Sequence, residues 1–355
     1  MNQDLIGEAS FRTTTVVAPA ERTQGGEVLF IASSSFEKRC THVARSLTRD
    51  YSADIAMICD FRGDYELQLP HQKSLEELKA QVTFNAKSLE MCSLKTYDTR
   101  GTLPGLRRQL NQLATKHNIT QIDFDVTTFT KQYILVLLGL MEEVFPQSAV
   151  RILYAPASRY GMPKTRRALS KHVRGIVAVP GFDMFRDSSD IPWNLVVFLG
   201  FEEERVVNLL DALSPRICIP VLQLRRNTHF GALVPFESNK RLLDLVRTRY
   251  GESARYVDAE NPSESADFLL DVYQKYVQQT GNVLLIAPHG SKMQAVGIYL
   301  FCRAVNDPAH VGVVYALPQM YDKRQYSGDP IGYIAEFTWH CERKKVAAEL
   351  ALAVR

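Results

Sequence analysis

The chain lacks the short signatures by which many enzymes can be recognised. No Cys-x-x-Cys pair occurs among its six cysteines, at positions 40, 59, 92, 218, 302 and 341, which argues against a zinc ribbon or a Cys-x-x-Cys redox centre. There is no GxSxG, no HExxH, no GxxxxGK[ST], no GxGxxG and no acidic triplet at metal-ligand spacing. A nucleophile elbow, a zincin site, a P-loop and a dinucleotide fingerprint are thereby excluded, and neither a metal nor a cofactor is expected. Charge of one sign is also scarce. The formal net charge is +3, too small to imply nucleic-acid binding by itself. The longest apolar run, "YILVLLGLMEEVF" at 133–145, is broken by two glutamates and is too short to span a bilayer, so no membrane partner is expected. The first 26 residues have no basic segment leading into an apolar one, so a secretory signal is not expected. Scattered thiols in apolar runs suit a reducing cytoplasm, the expected location.

With 46% hydrophobic and 23% charged residues, the composition is that of an ordinary globular protein. A length of 355 residues exceeds what one core usually sustains, so two are expected. Residues 1–26 are polar, end in Gly25-Gly26 and read as a flexible arm. Buried strands then alternate with helical patterns: "VLFIAS" at 28–33, a helix over 38–48, "DIAMICDF" at 54–61, a polar helix near 73–89, "SLKTYD" ending at Asp98, an amphipathic helix over 103–117, "QIDFDV" at 121–126, a helix over 131–145 and "AVRILYA" at 149–155. "GIVAVPGF" at 175–182 could add an edge strand. The series restarts at Trp193: "WNLVVFLG", the helix "FEEERVVNLLDAL", "RICIPVLQL", "SARYVD" ending at Asp258, a helix that Ser263 could cap, "NVLLIA", the helix "SKMQAVGIYLFCRAV", "HVGVVYA" and a final "IGYIAEF". Continuous apolar strands alternating with helices predict an open, mostly parallel α/β sheet.

The two series share their spacing. "VRILYAPASRY" begins at Val150 and "VGVVYALPQMY" at Val311, 161 residues on. Lys131 precedes Tyr154 by 23 residues, as Lys292 precedes Tyr315. Tyr160 and Tyr321 each follow those tyrosines by six, and "SSSFEKR" at 33–39 answers "GFEEER" at 200–205. Matches in one order and at one spacing argue for internal duplication. The expected organisation is a 1–26 arm, Rossmann-like halves at 27–182 and 183–337, and a C-terminal helix at 338–355.

Ligands of open α/β sheets lie beyond the carboxyl ends of the strands. Those ends carry Ser34, Ser35, Glu37, Arg39, Asp98, Thr127 and Lys131 in the first half, and Glu202, Arg205, Asp258, His289, Ser291, Lys292 and Tyr321 in the second. "APHGSKMQAVG" places a glycine turn, Ser291 and Lys292 at a helix start, where free N–H groups attract anions. Ser291 capping the helix is the alternative. Arg39 and Arg205 could reach phosphates, or could pair with the nearby glutamates. "KTRRALSKHVR" at 164–174 is either a solvated helix face or a phosphate-contacting patch; with no interleaved aromatic, nucleic acid is not favoured.

Two Rossmann-like halves with polar "SSSFEKR" and "HGSKMQA" loops resemble the tandem CARF-like and SAVED-type sensors of prokaryotic defence over most of 28–337. The resemblance implies a cyclic oligonucleotide in a cleft between paired units, with Ser34, Lys131, Ser291 and Lys292 at its phosphates, and a separate effector chain as partner. The expectation is therefore a nucleotide-like small molecule as ligand. Two alternatives stand beside it: a nucleotide or NAD hydrolase drawing on His289 or the 33–35 serine run, and a non-catalytic adaptor.

Overall fold

The computed structural model describes residues 9–20, 22–62, 68–158, 170–184, 192–224, 233–321 and 329–340. In chain order the elements are β1 (Ala9–Thr14), β2 (Glu27–Ser33), α1 (His42–Arg45), β3 (Ala53–Arg62), α2 (Gln68–Asn85), β4 (Ala86–Lys95), α3 (Thr99–Lys116), β5 (Ile119–Asp125), α4 (Lys131–Val144) and β6 (Ala149–Tyr154). They continue with β7 (Ser170–Ala178), β8 (Trp193–Phe198), α5 (Glu203–Leu213), β9 (Ile217–Leu224), α6 (Leu233–Ser238), α7 (Lys240–Tyr250), β10 (Arg255–Asp258), α8 (Pro262–Tyr273), β11 (Val283–Pro288), α9 (Lys292–Val305), β12 (Val311–Tyr321) and β13 (Ile334–His340). The fold is α/β, with two mostly parallel sheets flanked by helices. No described helix is long and apolar enough to cross a membrane.

Two compact units result: residues up to 162 together with those from 326, and residues 163–325. The sheet of the first runs β1-β13-β6-β5-β2-β3-β4, and that of the second runs β10-β9-β8-β11-β12-β7. Reading outward from β2 or β8, the order is the same in both, with β1 added beyond β13 in the first. The strands are parallel except β13 against β6, β7 against β12, and β1 against β13. The runs Val28–Ala32 of β2 and Val283–Pro288 of β11 are apolar and buried, as expected of parallel strands covered on both faces. One core gathers Phe30, Ile58, Leu78 and Leu153; the other gathers Leu195, Leu209, Leu222 and Ala316.

Several expectations are corrected. Residues 9–14 of the arm form β1, paired with β13, and Val17 is fully buried. The strand read at 331–337 is β13 and belongs to the first sheet, while the strand read at 175–182 is β7, starts earlier and belongs to the second. Each sheet is thus completed by the strand that follows the other sheet's fifth strand in the chain. Within the basic segment, residues 170–174 are strand rather than helix, because β7 pairs along β12 from Ser170. The expected C-terminal helix at 338–355 is corrected at its start, since 338–340 are strand, the end of β13; its remainder and residues 164–169 lie outside the described residues. The helix expected over 38–48 is a 3-10 turn at Lys38–Thr41 followed by the single turn α1. β4 stops at Lys95, so Asp98 does not end a strand: it caps α3, accepting the Gly101 N–H at 2.8 Å. Helix α8 is capped by Asn261, not Ser263, with Pro262 as its first residue, where a missing N–H costs nothing.

The first unit has a polar seam of its own. Asp123 and Arg151 face each other across β5 and β6, with Arg151 Nε 2.9 Å from Asp123 Oδ1. Tyr51 donates to Asp123 Oδ2 at 2.7 Å, and Arg12 pairs with Glu336 at 2.8 Å. Burial works against the charge on Arg151, but Asp123 and Glu336 outweigh it and hold the guanidinium protonated. Burial and the Asp123 carboxylate push the Tyr51 hydroxyl well above its usual pKa.

Candidate functional site

At the carboxyl edge of the first sheet, three loops are tied together at one residue, Ala155. Ala155, just past β6, gives its N–H to Thr127 Oγ1 at 3.0 Å and receives Arg39 at its carbonyl at 2.7 Å. Arg39 also pairs with Glu37 at 2.6 Å, and both side chains are buried. Ser35 Oγ accepts the Glu37 N–H at 3.2 Å. Sequence spacing admitted either phosphates or glutamates as partners of Arg39, and the structure assigns it a glutamate and a carbonyl.

Ser34 is fully buried and donates to Asp60 Oδ1 at 2.6 Å. His71 Nε2 lies 2.6 Å from the same oxygen and 3.3 Å from Ser34 Oγ. The Ser34 N–H binds the Cys59 carbonyl at 3.0 Å, so this serine fastens β2 to β3. Asp60 and His71 were not singled out from sequence. Asp60 lies inside an apolar strand, and His71 sits in the first turns of a polar helix whose start is not marked. An acidic residue two positions before the carboxyl end of a buried parallel strand was the available signal.

The edge of the second sheet is built on the same clamp. Arg205 donates to the Ala316 carbonyl from Nε, at 3.0 Å, and from a terminal nitrogen, and pairs with Glu202 at 2.8 Å. Ala316 is the counterpart of Ala155 in the repeated phrase. The Arg205 guanidinium lies 4.9 Å from the centre of the Tyr315 ring, and His289 stacks on that ring at 5.3 Å with planes 26° apart. Gly200 lets the loop after β8 pass close to the loop after β11: a Cβ there would lie 2.5 Å from the His289 carbonyl. Asp258 is buried, and its Oδ1 accepts the Glu260 and Asn261 N–H groups at 2.7 and 2.9 Å.

Lys131 and Lys292 occupy equivalent places. Each is the first residue of a helix of 14 residues, α4 and α9. Each follows a hydroxyl cap: Thr130 accepts the Tyr133 N–H, and Ser291 forms a capping box with Gln294. Ser291 also donates to the Ala259 carbonyl, and its side chain is buried. Both lysines are half-buried, and Lys131 forms no ion pair with another described residue. Tyr321 is the last residue of β12, and Tyr160 lies outside the described residues.

Electrostatics separates the exposed cap from the buried thiols. Asp98 is held below the usual carboxylate range by the Gly101 N–H and by Lys95. Burial pushes the Cys40 thiol up to about 12, and those of Cys218 and Cys302 to about the same value. No group of three or more His, Cys, Asp or Glu among the described residues could hold a metal ion.

No known family profile matches the chain. Two curated Helicobacter pylori proteins, both named GTP 3',8-cyclase, are similar in sequence. That of strain J99 is 24% identical over 250 residues, which is 70% of this chain and 68% of its own. That of strain 26695 is 22% identical over 287 residues, 77% of this chain and 78% of its own. Among solved structures, a type III CRISPR defence DNA nuclease activated by cyclic oligoadenylate is similar at a TM-score of 0.47 and 9% identity over 77% of this chain, which spans 63% of that nuclease.

Proposed function

We propose that the chain binds a nucleotide or nucleotide-derived phosphorylated ligand at the carboxyl edges of its sheets, as a sensor or accessory protein of a bacterial defence or signalling system, and that the two units descend from one duplicated ancestor. One observation carries this reading: Lys131 and Lys292 open equivalent helices of 14 residues behind equivalent hydroxyl caps. A lysine at a helix start adds a full charge to N–H groups that already favour anions. The clamping arginines are engaged by Glu37, Glu202 and two alanine carbonyls, and the phosphate contacts are assigned to the lysines for their place at the helix starts. The curated relatives are named for a reaction of GTP, itself a phosphorylated nucleotide. The test is a thermal-shift panel of mono-, di- and triphosphate nucleotides and linear and cyclic oligonucleotides. A rise in melting temperature with at least one of them is expected, and no shift with any would remove the reading.

A second reading, hydrolysis of a nucleotide or of NAD, draws on the contact of Ser34, Asp60 and His71. Incubation with NAD and nucleoside triphosphates would give turnover that His71→Ala abolishes. No turnover would dismiss hydrolysis and leave binding standing.

A further inference from the structure

Five cysteines among the described residues are free, and two of them share a register. Cys59 on β3 and Cys92 on β4 are direct partners across parallel strands. In-register neighbours in a parallel pair present their side chains on the same face. Adjacent strands lie about 4.8 Å apart, within the ~4.4–6.8 Å between Cα atoms that a disulfide spans. The remaining three, Cys40, Cys218 and Cys302, lie on separate elements with no such partner. We propose that Cys59 and Cys92 form an oxidisable dithiol that a peroxide converts reversibly to an intrachain disulfide.

The two sulfurs have different parts. Cys92 lies on the edge strand and is buried but for 5% of its surface, whereas Cys59, one strand further in, is fully enclosed. A hydrogen bond from the Cys59 thiol lowers the pKa of Cys92, while that contact and burial push Cys59 well up. Cys92 is therefore the attacking sulfur: its thiolate displaces hydroxide from the peroxide O–O bond and becomes a sulfenic acid. Cys59 then gives up its proton and attacks the Cys92 sulfur, expelling water. Two thiols and one hydrogen peroxide become one disulfide and two waters, with sulfur oxidised and peroxide oxygen reduced. β4 is an edge strand, bonded on one side only, so it can adjust to close the bond.

The test is non-reducing peptide mapping of the folded protein after brief treatment with hydrogen peroxide. The expected product is a single species joining the Cys59 and Cys92 peptides, with two fewer titratable thiols, restored by dithiothreitol. Cys92→Ser should abolish the product, and Cys59→Ser should leave a sulfenic acid at Cys92 that dimedone traps, in variants whose melting temperature is first shown to match the parent. Oxidation of Cys92 to sulfinic acid without the link, a link between chains or to another cysteine, or no reaction of either thiol before unfolding would each overturn the proposal.

Discussion

The two units share a strand order and a clamp, yet they differ in what surrounds it. In the first, Arg39 grips the Ala155 carbonyl, Thr127 holds the same residue by its N–H, and the neighbouring loop is fastened by Ser34, Asp60 and His71. In the second, Arg205 grips Ala316 and lies against Tyr315, the ring on which His289 stacks, and a glycine replaces Ser35 where two loops nearly touch. The first sheet is extended by β1 and stitched by Asp123 and Arg151. At the same offset of 161 residues the second has Leu284 and Gly312. What the units hold in common is the device that ties the first strand's loop to the end of the fifth. Where they diverge is the polar furniture around that tie.

Breaking the clamp should give the largest effect, and a similar one in each unit. Arg39→Met removes the guanidinium that pairs with buried Glu37 and donates to the Ala155 carbonyl; Arg205→Met removes the one that pairs with half-buried Glu202 and donates to the Ala316 carbonyl. Each should cost about 3–5 kcal/mol in urea unfolding, and a large cost in one unit only would show that the clamps are not equivalent. Next comes the tight approach in the second unit. Gly200→Ala should cost ~1–3 kcal/mol by pushing a methyl group onto the His289 carbonyl, whereas Ser35→Gly at the matching position should change stability by under about 1 kcal/mol.

Acid should act on the first unit through Asp54. Burial works to raise the Asp54 pKa, but hydrogen bonds from Lys87 and the Val28 N–H, together with Arg22, hold it below the usual range. A depressed folded pKa means that the stabilisation is complete above the unfolded value and is lost as pH falls through the folded one. The parent should therefore lose stability below about pH 4 more steeply than Asp54→Asn, and parallel curves would refute this. The smallest effect concerns reactivity. With pKa values near 12, Cys40, Cys218 and Cys302 should stay unalkylated by iodoacetamide at neutral pH in the folded protein, whichever unit they belong to. Labelling of Cys40 before unfolding would contradict that.

The central strands, the helices starting at Lys131 and Lys292, and the offset between the units were legible in the sequence, because apolar runs and hydroxyl caps are local signals. The placement of β7 and β13 was not. A strand's partner is set by packing far along the chain, and neither segment states which sheet it completes. β1 was missed because its side chains are exposed and lack alternation. The two helices α6 and α7 between β9 and β10 went unread, although Gly251 in the left-handed region closes the second one. At the site, the spacing of Glu202 and Arg205 revealed the pair but not the carbonyl that holds it, and Ser34 gave no hint of Asp60 or His71.

The most direct measurement is a calorimetric titration with the nucleotide that shifts melting most, using the parent, Lys131→Ala, Lys292→Ala and the double variant. A charge-assisted hydrogen bond to phosphate contributes about 1.5–3 kcal/mol, so each single change should weaken binding by roughly ten-fold to a hundred-fold, and the double change more. Unaltered affinity in both single variants, with melting temperatures equal to the parent's, would contradict the claim that these twin helix starts hold the ligand.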